Sequence, residues 1–142
     1  MYQNILTYVD MHKKNSWIKS LPHCVELIKR PETRLHILTC LPDFGMPIVA
    51  QFFPSNFDDK KVQQEILKQL QDFIKTHVPA QIKTKAIITE GTRRDAILNI
   101  AKKIEADLIV LPTAREKSHF YTLGATAAHV VRHADCSVLI VR

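Results

Sequence analysis

A chain of 142 residues is the usual size of one domain and long enough to bury a substantial core. With 46% hydrophobic and 24% charged residues it does not have the composition of a disordered tail, and no apolar run approaches the roughly eighteen residues of a membrane-spanning helix. A net charge of +6 and a pI of about 9.3 favour anionic partners, phosphate-bearing metabolites or nucleic acid, and no nucleic-acid-binding motif supports the second.

The opening Met1-Tyr2-Gln3-Asn4 has no basic lead-in and runs directly into Ile5-Leu6. That predicts a first strand over residues 5–10 rather than a secretion signal, and so a cytoplasmic protein. Trp17, Leu21, Cys24, Val25 and Ile28 then share one helical face, interrupted by Pro22. The helix either starts near Ser20, where an early proline is tolerated, or kinks. Residues 35–41 predict the second strand. The segment 42–57, with Pro42, Pro47, Pro54, Phe44, Phe52, Phe53 and Phe57, is longer than most connections. It reads as an irregular loop folded onto its own domain, or else as a lid or partner surface.

Val62, Ile66, Leu70, Phe73 and Ile74 mark one face of a helix over 58–77. Residues 85–89 predict the third strand. Thr92-Arg93-Arg94-Asp95 fits a capping box, with Thr92 as N-cap and Asp95 three residues on, and Ile97, Ile100, Ala101 and Ile104 continue the helix that it opens. The fourth strand, 107–111, contains Leu108-Ile109-Val110-Leu111, apolar without alternation, as in strands covered on both faces. Leu123, Ala127, Val130, Val131 and Ala134 form a last helical stripe before a fifth strand over 137–141. The order β-α-β-α-β-α-β-α-β implies a single α/β domain over residues 1–142. It is expected to be an open, doubly wound, parallel five-stranded sheet in the order 3-2-1-4-5 with helices on both faces. Asp10 and Thr113 should then flank the switch between strands one and four.

Cys24, Cys40 and Cys136 are odd in number and show no CxxC spacing, which predicts reduced thiols and neither a disulfide framework nor a zinc site. His129 and His133 stand four apart on the last helix, as metal pairs do, but no third ligand has a matching spacing and a structural or surface role is expected. Asp10 and Asp107 show no acid–base pairing, and no nucleophile motif is evident, so an enzyme with its own covalent chemistry is not expected.

In open sheets of this kind ligands bind at the carboxyl ends of the strands, where the order reverses. The loops there carry Lys13, Lys14, Arg93, Arg94, Arg115 and Lys117. Gly124, followed by small residues at a helix start, leaves backbone N–H groups suited to a phosphate.

Three stretches carry a family resemblance. Ile5-Leu6-Thr7-Tyr8-Val9-Asp10 resembles an ILVPVD opening, and the segment from Glu90-Gly91-Thr92 to Ile104 resembles EG-S/T-P…IL-x-x-A-K-K. The close from Leu123-Gly124-Ala125-Thr126 through Val130-Val131-Arg132-His133-Ala134 to Arg142 resembles LGSTAxxVVRHAxCSVLVVR nearly throughout. Together they identify the chain as similar to universal stress proteins, especially short single-domain bacterial members. The resemblance implies a Rossmann-like stress-response domain that binds ATP or another adenine nucleotide, with magnesium only alongside it. In nucleotide-binding members the carboxylate at Asp10 and the backbone near Cys40 would hold adenine and ribose. A loop of pattern G-x-x-G, a spacer, then G-S/T would wrap the phosphates. Together with the switch-point rule, this gives Tyr8, Val9, Asp10, Cys40, Leu41 and Gly91 as expected nucleotide contacts. After strand four it adds Leu111, Pro112, Thr113, Arg115, Lys117, Gly124, Ala125 and Thr126.

The phosphate loop departs from the pattern. Pro112 and Arg115 stand where glycines are expected, the spacer to Gly124 is shortened, and Ala125 replaces the serine. Proline has no N–H to offer, and a cradle built of backbone needs donors and close approach. Arg115 or Lys117 would then serve as a charged clamp. The alternative reading is a dimeric interaction protein that binds no nucleotide; a third, slow ATP hydrolysis, lacks an identifiable metal-holding carboxylate. Strand 137–141, apolar on both faces yet at the sheet edge, is expected to pair with the same strand of a second copy, as family members commonly do.

Overall fold

The computed structural model describes residues 1–41, 59–113 and 123–142. The strands are β1 (Asn4–Tyr8), β2 (Arg34–Leu41), β3 (Lys83–Glu90), β4 (Leu108–Pro112) and β5 (Ser137–Val141), and the helices are α1 (Ser20–Leu27), α2 (Asp59–His77), α3 (Arg93–Lys103) and α4 (Ala125–His133). The five strands form one parallel sheet in the order β3-β2-β1-β4-β5. β1 lies at the centre, with Ile5, Leu6 and Thr7 opposite Leu108, Ile109 and Val110 of β4 and opposite Leu35, His36 and Ile37 of β2.

Two apolar layers follow from the two-residue period of the central strands. Ile5 and Val9 go to one face, where they pack with Trp17, Leu21 and Cys24 from the α1 region and Leu70 and Ile74 of α2. Leu6 and Tyr8 go to the other, against Ala96, Ile97 and Ile100 of α3 and Val130 of α4. Every residue of β4 is buried, which accounts for its run without alternation. Thr7 is fully buried within this apolar setting and satisfies its hydroxyl by donating to the Val110 carbonyl at 2.8 Å.

Local chemistry sets the element ends. α1 begins at Ser20, so Pro22 falls in the first turn, where no helical N–H is lost; of the two expected outcomes, the early start holds and no kink is needed. Trp17, expected on the face of that helix, precedes it, after a 3-10 turn at Lys14–Ser16. Its indole nevertheless packs edge-on to Phe73, with centroids 4.9 Å apart. The first strand ends at Tyr8, two residues short of the expected span. Val9 still donates to the Leu38 carbonyl at 2.8 Å, but the Asp10 N–H and C=O are taken by Ser16 and Lys13 and so leave the ladder. The Thr92 hydroxyl caps α3 by accepting from the Asp95 N–H at 3.4 Å, and it donates to the Asp95 carboxylate at 2.9 Å. The N-cap half of the expected box is therefore present, while the carboxylate meets the Thr92 hydroxyl in place of the Thr92 N–H. The aromatic and proline segment 42–57 lies outside the described residues.

Two consequences are measurable by chemical denaturation. Ile97→Ala empties a fully buried position between α3 and the sheet and should cost about 2–5 kcal/mol. Ile18→Ala, at a residue 46% exposed, should stay within about 0.5 kcal/mol of wild type. Burial pushes the Cys24 thiol up to about 12, against about 8.5 for a free cysteine. The unfolded chain therefore releases this proton first. Its stabilising contribution is complete below about pH 8.5 and is lost as pH rises toward that folded-state value. The urea midpoint of wild type should accordingly fall more steeply between pH 8 and 11 than that of Cys24→Ala; parallel slopes would refute the assignment.

Candidate functional site

β1 and β4 are neighbours whose connections leave in opposite directions, toward β2 and β5 respectively. Asp10 and Thr113, which follow them, therefore flank the crevice where such sheets bind ligands. The turn after β1 is fixed by Ser16. Its hydroxyl shares its proton between the carbonyls of Lys13 (2.7 Å) and Asp10 (2.9 Å), and it accepts from the Asp10 N–H at 2.9 Å. The Asp10 carboxylate is half-buried; one oxygen, Oδ1, accepts from the His12 N–H at 3.1 Å, and Oδ2 has no hydrogen-bond partner among the described residues.

Asp10 opens onto a hollow of about 350 Å³ lined also by Tyr8, Met11, His12, Thr39, Cys40, Leu41, Ile66 and Gln69. That volume falls in the range of small-molecule sites. A second, much smaller hollow of about 30 Å³ lies beside it, lined by Tyr8, Ser16, Arg93, Ile97, Leu111, Pro112, Thr126 and Ala127. Tyr8 belongs to both walls. The Arg93 guanidinium carbon stands 5.9 Å from the centre of the Tyr8 ring, within cation–π reach.

Burial keeps two side chains at this rim, Tyr8 and Cys40, in their neutral forms. Burial, reinforced by Cys40 and Asp10 and opposed by Arg93, holds the Tyr8 phenol well above its ordinary range. Burial likewise pushes the Cys40 thiol up to about 11, with Arg93 pulling the other way. Both side chains are thus uncharged near neutrality, and Cys40 lacks the thiolate character of a nucleophile.

The expected contact residues separate into groups. Tyr8, Asp10, Cys40 and Leu41 line the larger hollow, and Leu111, Pro112 and Thr126 the smaller. Val9 does not join them through its side chain, because alternation turns it into the fully buried α1/α2 core. Gly91 lies at the end of β3 outside both linings; its φ of +106° turns the chain into α3, a conformation costly for other residues. Thr113 ties the crevice floor together, its N–H donating to Val141 at 3.0 Å and its carbonyl accepting from Gly124 at 3.2 Å. Gly124 is the N-cap of α4 and supplies no capping side chain. Gly124 itself therefore gives the first-turn N–H groups of α4, beginning at Ala125, no side-chain acceptor. Arg115 and Lys117 lie outside the described residues. Ile66 and Gln69 were not expected at the site, since in sequence they read only as part of an amphipathic helix.

A further hollow of about 490 Å³ lies at the opposite end of the sheet, between the last turns of α3 and α4, and includes His129, His133, Asp135 and Cys136. The two histidine rings lie against each other at a tilt of 48°, with centroids 4.5 Å apart. No group of three metal-ligating side chains is close enough to hold an ion among the described residues. Nor is any helix among them long and apolar enough to cross a membrane.

Comparison with known proteins bears on this geometry. A sequence profile described as the universal stress protein family matches residues 1–142. Universal stress protein G of Salmonella typhimurium is 26% identical over 148 residues, covering 100% of both chains. Among solved structures, universal stress protein UspA from Lactobacillus plantarum shares the fold with a TM-score of 0.68 at 24% identity, over 99% of this chain and 98% of its own. A universal stress protein in complex with cAMP gives 0.66 at 20% identity, over 99% and 97%. A family protein from Arabidopsis thaliana with AMP bound gives 0.61 at 20% identity, over 98% and 90%. The profile runs through every element from β1 to β5, and the sheet order is the one expected for this group: the chain belongs to the universal stress protein family.

Proposed function

We propose that this chain is a cytoplasmic stress-response regulatory domain that binds an adenine nucleotide in the crevice at the carboxyl ends of β1 and β4. The observation that carries the reading is the 350 Å³ hollow at the carboxyl ends of β1 and β2, walled by Asp10, Thr39, Cys40 and Leu41 and sharing Tyr8 with the small hollow that Pro112 of β4 and Thr126 of α4 line. The Asp10 carboxylate, with Oδ2 unpaired among the described residues, suits a ribose hydroxyl or an adenine amino group. The first-turn amides of α4 suit a phosphate, as in other helix-terminus anion sites. Relatives solved with cAMP and with AMP support the ligand class. Magnesium would enter only with the phosphates of a longer nucleotide. Among the described residues no acid and base side chains are paired at the rim, and the cysteine there is protonated, which supports binding rather than turnover.

The second reading is a dimeric interaction protein without nucleotide, and Pro112 favours it, since the last residue of β4 offers no N–H to a phosphate. Titration calorimetry separates the two. Wild type should give heat with AMP or ATP, and Asp10→Asn should weaken the nucleotide about tenfold, the cost of a lost charge-assisted hydrogen bond. Heat from neither nucleotide would leave the second reading standing.

Both readings share an assembly. β3 and β5 are the edges of the sheet, and they differ in kind. β3 displays Lys83 and Lys85, which deter pairing, whereas β5 reads Ser-Val-Leu-Ile-Val with no charge. We propose a two-fold homodimer in which β5 pairs with its counterpart in a second copy. Light scattering should give twice the chain mass for wild type at micromolar concentration and one chain mass for Leu139→Pro, a change that removes a ladder donor. A monomeric wild type, or a folded and dimeric Leu139→Pro by circular dichroism and scattering, would overturn the assignment.

A further inference from the structure

Pro112, the last residue of β4, has no N–H to offer a phosphate, and Arg93 lines the same small hollow. α3 begins at Arg93, set in place by the left-handed Gly91 and by the Thr92 cap. From there its side chain reaches across the top of β2 and β1 to lie over Tyr8 and to line the small hollow with Pro112 and Thr126. Of the other rim cations, Lys13, Lys14 and Arg94 are exposed and line neither hollow, while Arg93 is half-buried. Among the described residues its guanidinium meets the Tyr8 ring, and no acid among them takes up its five N–H donors. Tyr8 walls both hollows, so a ligand seated against Asp10 and Cys40 would extend past the Tyr8 ring toward Arg93 and Thr126.

Resting on the nucleotide reading above, we infer that Arg93 is the residue that holds the ligand's phosphate, supplying from α3 the donors that Pro112 withholds from the β4 loop. A guanidinium suits this role because its planar fork meets phosphate oxygens in pairs, and because it keeps its charge when partly desolvated. Thr126 and Ala127, in the first turn of α4, line the same small hollow and would share the anion. Arg93 thereby makes the site selective for the phosphorylated form of its ligand. The base and ribose would be held elsewhere, by the Asp10 side.

Adenosine and AMP, titrated calorimetrically into the full chain, test this directly, since they differ only in the phosphate. Wild type should bind AMP about tenfold or more tighter than adenosine, and Arg93→Ala should remove most of that gap by weakening AMP while shifting adenosine less than about twofold. Arg93→Lys should restore part of the gap, because it returns charge without the fork. Arg93→Gln takes the place of the alanine variant should the latter lose its cooperative thermal transition. A gap that survives in a folded Arg93 variant would overturn the inference and leave the nucleotide site intact. Equal weakening of both ligands would also overturn it, making Arg93 a support for Tyr8. Failure of wild type to bind either ligand would remove the nucleotide reading itself.

Discussion

The structure depends on one constraint: β1 must be covered on both faces while donating and accepting along both edges. Ile5, Thr7 and Val9 face one helical layer, and Leu6 and Tyr8 face the other, so five consecutive residues carry the centre of two cores. β2 and β4 meet this strand in parallel on either side, and their outgoing connections must diverge. The divergence leaves the crevice. The site is thus a by-product of burying a central strand, and its position was settled by packing before any ligand-binding side chain was chosen.

What the crevice offers a ligand follows from the few side chains that end there. Tyr8 is the last residue of β1 before the chain turns away, and its ring forms a shared wall rather than a floor. Burial keeps the phenol and the Cys40 thiol in their neutral forms, and Arg93 supplies positive charge within reach of both. An anion approaching this rim meets a neutral, polarisable surface with a cation above it, and the carboxylate of Asp10 is held to one side by the His12 amide. Among the side chains that line the two hollows, the Asp10 carboxylate and the Arg93 guanidinium are therefore set apart, one in the larger hollow and the other in the smaller.

Sequence made the sheet legible because its signals are local and repeated. The unalternating Leu108–Leu111 run, the Thr92 cap and the Ile97, Ile100, Ala101 stripe each name an element without knowledge of its neighbours. Asp10, Cys40, Leu111 and Thr126, named by counting past strand ends and by family resemblance, do line the two hollows. Other features needed the fold. The end of β1 at Tyr8 depends on Ser16, six residues away, capturing the Asp10 backbone, and no propensity at Asp10 announces it. Val9 adjoins two site residues in sequence yet points into the opposite core, an effect of strand alternation. Ile66 and Gln69 enter the hollow from α2, whose place over the sheet end is a tertiary fact. Arg93 was visible as one of several basic loop residues, but only the seat of α3 distinguishes it from Arg94 beside it.

The contrast between the two sheet edges bears on how far association can go. An open sheet has two sides along which a further strand could add, and a chain sticky on both would add copies without limit. Here the lysines of β3 close one side, and the uncharged β5 leaves the other open. With the proposed β5 pairing, such a chain would have a valence of one. It can consume its own reactive side by meeting its like once, and the product presents only the charged edge, at both ends. Crowding, heat or a rise in expression would then increase the number of pairs and not their length.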